Sequence, residues 1–344
     1  MINVGIAGVG FMGMIHYLAY QKVAGAKVRA LCEQDKKRLA GDWRSIKGNF
    51  GPRGTKMDLT GIDRYAELDA LVADPNLDLI DVCLPPSLHA RVAIAALKAG
   101  KHVFCEKPIA LNPADAKRMV ETARKAGRQL MIGQVLPFFP EYRFAYEVIT
   151  SARYGKLLGG HFRRIISDPL WIPDFYNPNT VGGPMIDLHV HDAHFIRLVC
   201  GMPTSVESVG SMRGEVVERF STQFGFADPD LVVTAASGVI NQQGRPFVHG
   251  YEIYLERATL LFDSGGVIKE PAGAVPLSVL SDDGKVRRPK LRGGDAFVDE
   301  IREVIRAVRS NTPSKLLAGE LARDAVVLCQ RETQSVQRGR PVKV

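Results

Sequence analysis

The sequence predicts an α/β chain in two parts, a doubly wound parallel sheet followed by an α+β domain on an antiparallel sheet. Three observations carry the prediction. Through residues 1–135, short apolar runs alternate with stretches of 3.6-residue periodicity, the pattern of parallel strands joined by helices. From about residue 136 several runs alternate polar with apolar side chains, as antiparallel strands with one wetter face do. At 344 residues, 46% hydrophobic and 24% charged, the chain can bury two sizeable cores, which excludes a disordered or collagen-like polymer.

In the first part, Ile2–Ala7, 28–32, 79–83, 102–105 and Leu130–Gly133 read as strands. Their nearly unbroken apolar character fits a sheet covered on both faces. Between them lie helices at 87–99 and Pro113–Ala126. The second of these has Asn112 as N-cap, Pro113 at the first helical position and Gly127 as its stop. Residues 44–61, rich in Gly, Lys and Arg, read as a loop insertion. In the second part a helix follows Phe138, and 156–166, 205–212, 221–226, 232–239 and 252–262 read as strands. Helices are predicted at 184–199, 295–309 and 319–337, the last able to pack back on the first domain. The expected domains are therefore 1–135 and 136–344.

The net charge is +8, and residues 1–150 hold 21 basic against 15 acidic side chains, so most of the surplus lies in the first domain. That suits an anionic ligand, and on charge alone a nucleic acid is an alternative. The densest basic run, Lys285 to Arg292, is broken by Pro289 and lacks aromatic residues to stack bases, so it reads as a solvated loop. No nucleic acid partner is expected. The five cysteines are odd in number and form no C-x-x-C pair, against a disulfide framework or zinc knuckle and in keeping with a reducing cytoplasm. The apolar start, punctuated by glycines and without a basic segment, does not read as a signal peptide. No run approaches the roughly 18 apolar residues of a membrane helix.

The strongest local motif is Gly8-Val9-Gly10-Phe11-Met12-Gly13, directly after the first strand and opening a helix. Gly8 permits the tight turn, Gly10 lets the backbone approach a pyrophosphate, and Gly13 allows close helix–strand packing. The helix N-terminus then offers free N–H groups to phosphates. Glu33, at the end of the second strand, is placed to accept the ribose hydroxyls of NAD. Lys36, Lys37 and Arg38 follow closely and leave NADP open.

Three further stretches fall at sheet edges or on a helix. Leu84-Pro85-Pro86-Ser87-Leu88-His89 turns from strand to helix at the carboxyl edge, where open α/β sheets bind ligands. There His89 reads equally as a ligand contact or a first-turn helix residue. Cys105-Glu106-Lys107-Pro108 holds Lys107 extended before a proline, where its amine can donate to a substrate oxygen or remain a charged loop residue. In Gly182-Gly183-Pro184-Met185-Ile186-Asp187-Leu188-His189-Val190-His191-Asp192-Ala193-His194, Asp187 and His191 stand four apart, so a helix would place a carboxylate beside a general base. The i, i+4, i+7 spacing of Asp187, His191 and His194 also invites a metal. No H-E-x-x-H or cysteine partner accompanies it, and no metal is expected. Residues 168–178, rich in proline and aromatics and including Trp171, read either as a substrate lid or as a packed loop.

Taken in order, these motifs resemble the glucose–fructose oxidoreductase / inositol dehydrogenase / rhizopine-catabolism (Gfo/Idh/MocA) family. The resemblance runs from Gly8-x-Gly10-x-x-Gly13 through Pro85-Pro86-x-x-His89 and Glu106-Lys107-Pro108 to the Gly182-Gly183 entry with Asp187 and His191. It ends at Gly339-Arg340-Pro341-Val342. It implies a Rossmann domain, a C-terminal domain on a large, mostly antiparallel sheet that forms homodimers or homotetramers, and hydride transfer between NAD(P) and a hydroxyl-bearing carbon of a sugar, sugar derivative or cyclitol. Carried onto this chain, Lys107 holds the reacting oxygen, His191 exchanges the proton and Asp187 positions both. Pro85, His89, Glu106 and Lys107 join the glycine-rich loop, with Phe11 and Met12, as cofactor contacts. Gln134, Trp171 and His189 are expected at the substrate. His189 and His194 depart from the family's usual D-x-G-x-H-D-x-D, and Pro137 stands where an arginine is common. Two other functions stay open on the same scaffold: NAD-assisted glycoside cleavage or elimination with retained NAD, and a non-catalytic NAD(P)-binding regulator.

Overall fold

The computed structural model describes residues 1–48, 50–265 and 275–344 and divides into two compact units, 1–138 with 294–323 and 139–293 with 324–344. The first unit runs β1 (Ile2–Ala7), α1 (Phe11–Tyr20), β2 (Ala26–Cys32), α2 (Lys36–Leu39), β3 (Asp63–Tyr65), α3 (Leu68–Ala73), β4 (Leu79–Val82), α4 (Pro86–Lys98), β5 (His102–Glu106), α5 (Pro113–Ala126) and β6 (Leu130–Gly133). Its six parallel strands are ordered β3-β2-β1-β4-β5-β6. The order reverses between β1 and β4, so the crevice for a ligand lies at the carboxyl ends of those two strands. Every residue of β4, β5 and β6 is buried, which is why they read as apolar runs even though Asp81, His102 and Glu106 lie within them. Asn112 caps α5 by accepting the Asp115 N–H, and Gly127 ends it in the left-handed region at φ +61°.

Two features of this unit were not legible. The edge strand β3, Asp-Arg-Tyr, has no apolar run to announce it. The stretch read as a loop insertion is tied down by backbone and aromatic contacts. Trp43 beside it is fully buried and donates from Nε1 to the Arg38 carbonyl, the backbones of Asp42 and Lys56 pair in an isolated antiparallel β-bridge, and Phe50 lies edge-on to Phe11.

The second unit continues with α6 (Pro140–Thr150), β7 (Leu157–Ser167), a π-helical turn (Met185–His189), α7 (Val190–Cys200), β8 (Ser205–Arg213), β9 (Val216–Gly225), β10 (Val232–Ile240), β11 (Val248–Leu255), β12 (Ala258–Asp263), β13 (Val275–Ser281) and β14 (Val286–Arg287). Then α8 (Ala296–Ser310) falls in the first unit, α9 (Gly319–Arg338) runs from the first into the second, and β15 (Val342–Lys343) closes the chain. A second domain uninterrupted from 136 to 344 was expected. Residues 294–323 instead belong to the first unit, where α8 packs on α1 and buries Ile301, Val304, Ile305 and Val308.

The second sheet has the order β14-β13-β12-β11-β7-β10-β9-β8-β15 among the described residues, antiparallel except where β7 meets β10. Phe162, Arg164 and Ile166 of β7 point inward while His161 and Arg163 lie on the other face, the alternation seen in the sequence. An aromatic core of Tyr142, Phe162, Phe195, Tyr251 and Phe262 fills the inner face. The run read as one strand over 252–262 is a hairpin, β11 and β12, with Leu255 opposite Ala258. Its turn residues, Glu256 and Arg257, carry no glycine, proline or asparagine signal. Likewise β9 begins earlier than predicted, and β13, β14 and β15 were not predicted. No helix among the described residues is long and apolar enough to cross a membrane.

Candidate active site

The glycine-rich loop fits a dinucleotide on steric grounds. A Cβ on Gly13 would stand 2.0 Å from the Gly8 carbonyl oxygen, and one on Gly8, at φ +96°, would stand 2.6 Å from the Cys83 carbonyl oxygen. These two glycines let turn, helix and β4 pack at close range. A Cβ on Gly10 would meet nothing within 4 Å, which leaves the approach to the loop open. Gly10 also caps α1 with no side-chain hydrogen bond, so the first N–H groups of α1 remain available to phosphate oxygens. Phe11 and Met12 follow in the first turn of α1, both partly exposed. Glu33 is held in place by the backbone: its carboxylate accepts the Val9 N–H at 2.9 Å and the Asp35 N–H at 3.0 Å. Each oxygen keeps a further lone pair for a hydroxyl. Asp35 caps α2 at Lys37 and Arg38.

Beneath this loop lies a buried polar cluster that sequence reasoning missed. His16 of α1 has Nδ1 at 2.9 Å from Asp81 of β4 and Nε2 at 3.1 Å from Glu106 of β5, all deeply buried. Burial pulls the His16 imidazole down, but Asp81 and Cys83 override it and hold its pKa well above the ordinary value. Glu300 of α8 is buried nearby, where desolvation and the Glu106 charge push its carboxyl pKa well up. Among the described residues His16, Asp81 and Cys83 are close enough to share a cation. Their atoms are already joined at hydrogen-bond distances, with Cys83 Sγ 3.3 Å from His16 and 3.4 Å from Asp81, and burial keeps the thiol protonated. Hydrogen bonding therefore accounts for the group. The signal available in the sequence was Asp81, a carboxylate in the middle of an apolar strand.

Glu106 joins this cluster to Lys107. Its Oε1 faces His16, while its Oε2 accepts the Lys107 backbone N–H at 3.1 Å. Lys107 itself is partly exposed and precedes a cis peptide to Pro108. His89 is fully buried, with Nδ1 2.7 Å from the Pro108 carbonyl oxygen and Nε2 2.8 Å from the Leu84 carbonyl oxygen. It clips the Pro85-Pro86 turn to the Glu106-Lys107-Pro108 turn. Gln134 is also fully buried, and neither amide atom has a hydrogen-bond partner among the described residues.

In the second unit the histidine cluster does not start as a regular helix. Residues Met185–His189 form a π turn, and the α-helix begins at Val190. Asp187 and His191 are partly exposed, whereas His189, Asp192 and His194 are buried. His189 has Nε2 3.0 Å from Glu332 Oε1 on α9, and its ring stands edge-on to Phe220. Asp192 takes two hydrogen bonds from Arg164 of β7, at 2.7 and 3.0 Å. Neither Arg164 nor Glu332 was singled out in the sequence. The available signals were an arginine at an inward position of an alternating strand and a glutamate within the apolar stripe of the last helix. Asp168 accepts from Tyr176 at 2.8 Å and from Arg213 at 2.7 Å, and Arg213 stacks over the Tyr176 ring. This pins the base of the aromatic segment while Leu170 and Trp171 at its tip remain exposed.

A doubly wound sheet whose first loop can cradle a dinucleotide defines a nicotinamide-binding scaffold. Residues 2–134 match the model of the oxidoreductase family, NAD-binding Rossmann fold, and residues 142–261 match the Gfo/Idh/MocA C-terminal domain. The chain belongs to the Gfo/Idh/MocA family of NAD-binding oxidoreductases. It is 29% identical to a myo-inositol 2-dehydrogenase of Thermotoga maritima, over 100% of this chain and 98% of that protein. Among solved structures, an NAD binding oxidoreductase from Klebsiella pneumoniae superposes with a TM-score of 0.84 at 21% identity, covering 100% of this chain and 99% of that one. A levoglucosan dehydrogenase in complex with NADH and levoglucosan does so with a TM-score of 0.80 at 19% identity, with 100% and 99% coverage.

Proposed function

We infer that this chain is an NAD(P)-dependent dehydrogenase or reductase acting on a CH–OH group of a sugar, sugar derivative or cyclitol. The observation that carries the reading is selective accessibility. Lys107, Asp187 and His191 are each partly exposed, while His89, His189, Asp192 and His194 are buried. When bound, the nicotinamide supplies the hydride acceptor or donor. Lys107 donates to the reacting oxygen, His191 exchanges its proton, and Asp187 orients both groups. The names of the relatives, an inositol dehydrogenase and a levoglucosan dehydrogenase, support a polyol substrate. Glu33 favours NAD, with NADP as the second cofactor. Gln134 and Trp171 are assigned to the substrate, the first as a buried amide open to a hydroxyl and the second as an exposed ring for a sugar face.

The face of the nine-stranded sheet that carries His161, Val209, Val232 and Leu280 supports assembly into a homodimer or homotetramer, which light scattering measures. The free cysteines support a reducing, cytoplasmic setting.

The test is a panel of sugars, sugar acids and cyclitols followed by nicotinamide absorbance in both directions. Net turnover is expected, whereas an enzyme that retains NAD would show none. Lys107→Ala and His191→Ala should each lower kcat on the order of a hundredfold while leaving the NAD dissociation constant within about twofold. Full activity in either variant removes the role given to that residue.

A further inference from the structure

We propose that two buried ion pairs, Glu332–His189 and Arg164–Asp192, are positioning devices that hold the π turn Met185–His189 and thereby aim Asp187 and His191. The proposal rests on the roles given to those two residues above.

A π turn adds a residue to the repeat, so the helix beyond it is rotated by about 100° relative to a continuous α-helix. Such turns are unfavourable by themselves and persist where their surroundings enforce them. The chain enters this one through Gly182 and Gly183 at φ +89° and +70°. A Cβ there would stand 2.8 Å from Ile186 and 2.9 Å from Val216 respectively. His189, the last residue of the turn, is held by Glu332 at 3.0 Å and by the edge of Phe220. Three residues later Asp192 is held by Arg164 through two hydrogen bonds.

One anchor therefore precedes His191 and the other comes after it. A third contact extends the grip, since Arg197 of α7 bonds Asp324 of α9 at 2.9 Å. His189 and Arg197 are thus matched in reverse order by Glu332 and Asp324, as in two antiparallel helices. A buried ion pair adds little stability over apolar side chains of the same volume, so its effect here falls on geometry. The side chains of His189, Glu332, Arg164 and Asp192 are buried, while Asp187 and His191 stay partly exposed.

The test is the double variant His189→Leu/Glu332→Leu, compared with Glu332→Gln. Removing both partners leaves no unpaired buried charge, so the double variant should fold with an unchanged or higher Tm. It should keep the NAD dissociation constant within about twofold and KM within about threefold, yet lose on the order of 10–100-fold in kcat, as a misplacement of about 1 Å does. Glu332→Gln, which keeps shape and acceptor, should stay within about threefold of wild type. The second readout needs no substrate: the His191 imidazole, titrated by nitrogen NMR without cofactor, should shift by about half a pH unit or more in the double variant. A folded double variant with wild-type kcat, or with an unmoved His191 titration, overturns the proposal. So does one that fails to fold, because the pair would then hold the whole unit together. Undiminished turnover in His191→Ala would instead sink the reading of the site, while the ring titration still reports on the pair.

Discussion

His189 and Glu332 meet at 3.0 Å with neither side chain reaching solvent, one ending a π turn and the other lying on the last helix. Burial alone would pull the His189 imidazole down, but the Glu332 carboxylate overrides it and raises its pKa above the ordinary value. A folded-state value above the unfolded one means the pair stabilises the protein fully below about pH 6.5. That contribution is lost as pH rises through the folded-state value. Urea midpoints of wild type and Glu332→Gln, measured from about pH 5 to about pH 9, should therefore converge toward the alkaline end. Parallel curves would mean the pair is not charged.

The glycines of the nucleotide loop separate stability from binding. Gly13→Ala places a Cβ against the Gly8 carbonyl oxygen and should cost about 1–3 kcal/mol in urea denaturation. Gly10→Ala meets nothing and adopts an ordinary φ of −85°, so its Tm should match wild type. Its NAD affinity, measured by fluorescence titration, should nevertheless fall on the order of tenfold as the methyl occupies the pyrophosphate approach.

Glu33 accepts the Val9 N–H and is the residue proposed above to favour NAD. Glu33→Ala should weaken NAD by about tenfold and NADP by less, shifting the ratio of the two dissociation constants. An unchanged ratio would confine Glu33 to bracing the loop.

His16 separates two carboxylates, Asp81 and Glu106, inside the first unit. His16→Leu removes the cation and leaves both acceptors buried, which should cost about 3–5 kcal/mol by urea denaturation. Because Glu106 also carries the Lys107 N–H, turnover should fall as well in the fraction that remains folded.

The parts legible in the sequence were those that local chemistry dictates. Apolar runs such as Leu79–Val82 and Leu130–Gly133 could only be covered strands, and Asn112, Pro113 and Gly127 bounded α5 as capping requires. The glycine spacing after β1 carried the nucleotide loop because each glycine answers a steric demand within a few residues. For the same reason β3, which has no apolar run, was missed, and the β11–β12 hairpin, which has no turn signal, read as a single strand.

Side-chain direction was decided elsewhere. The sequence placed His89, Glu106, His189 and His191 in motifs, but not which of them turn inward. That depends on partners remote in the chain: the Leu84 and Pro108 carbonyls for His89, His16 for Glu106, and Glu332 for His189. A regular helix over 184–199 satisfied every local rule, and only packing against β7 and α9 accounts for the π turn that opens it. The sequence alone thus determined the class of fold and the cofactor loop, because those follow from local sterics and spacing. Which polar side chains turn inward was left to tertiary structure, because burial is a property of what the rest of the chain brings alongside.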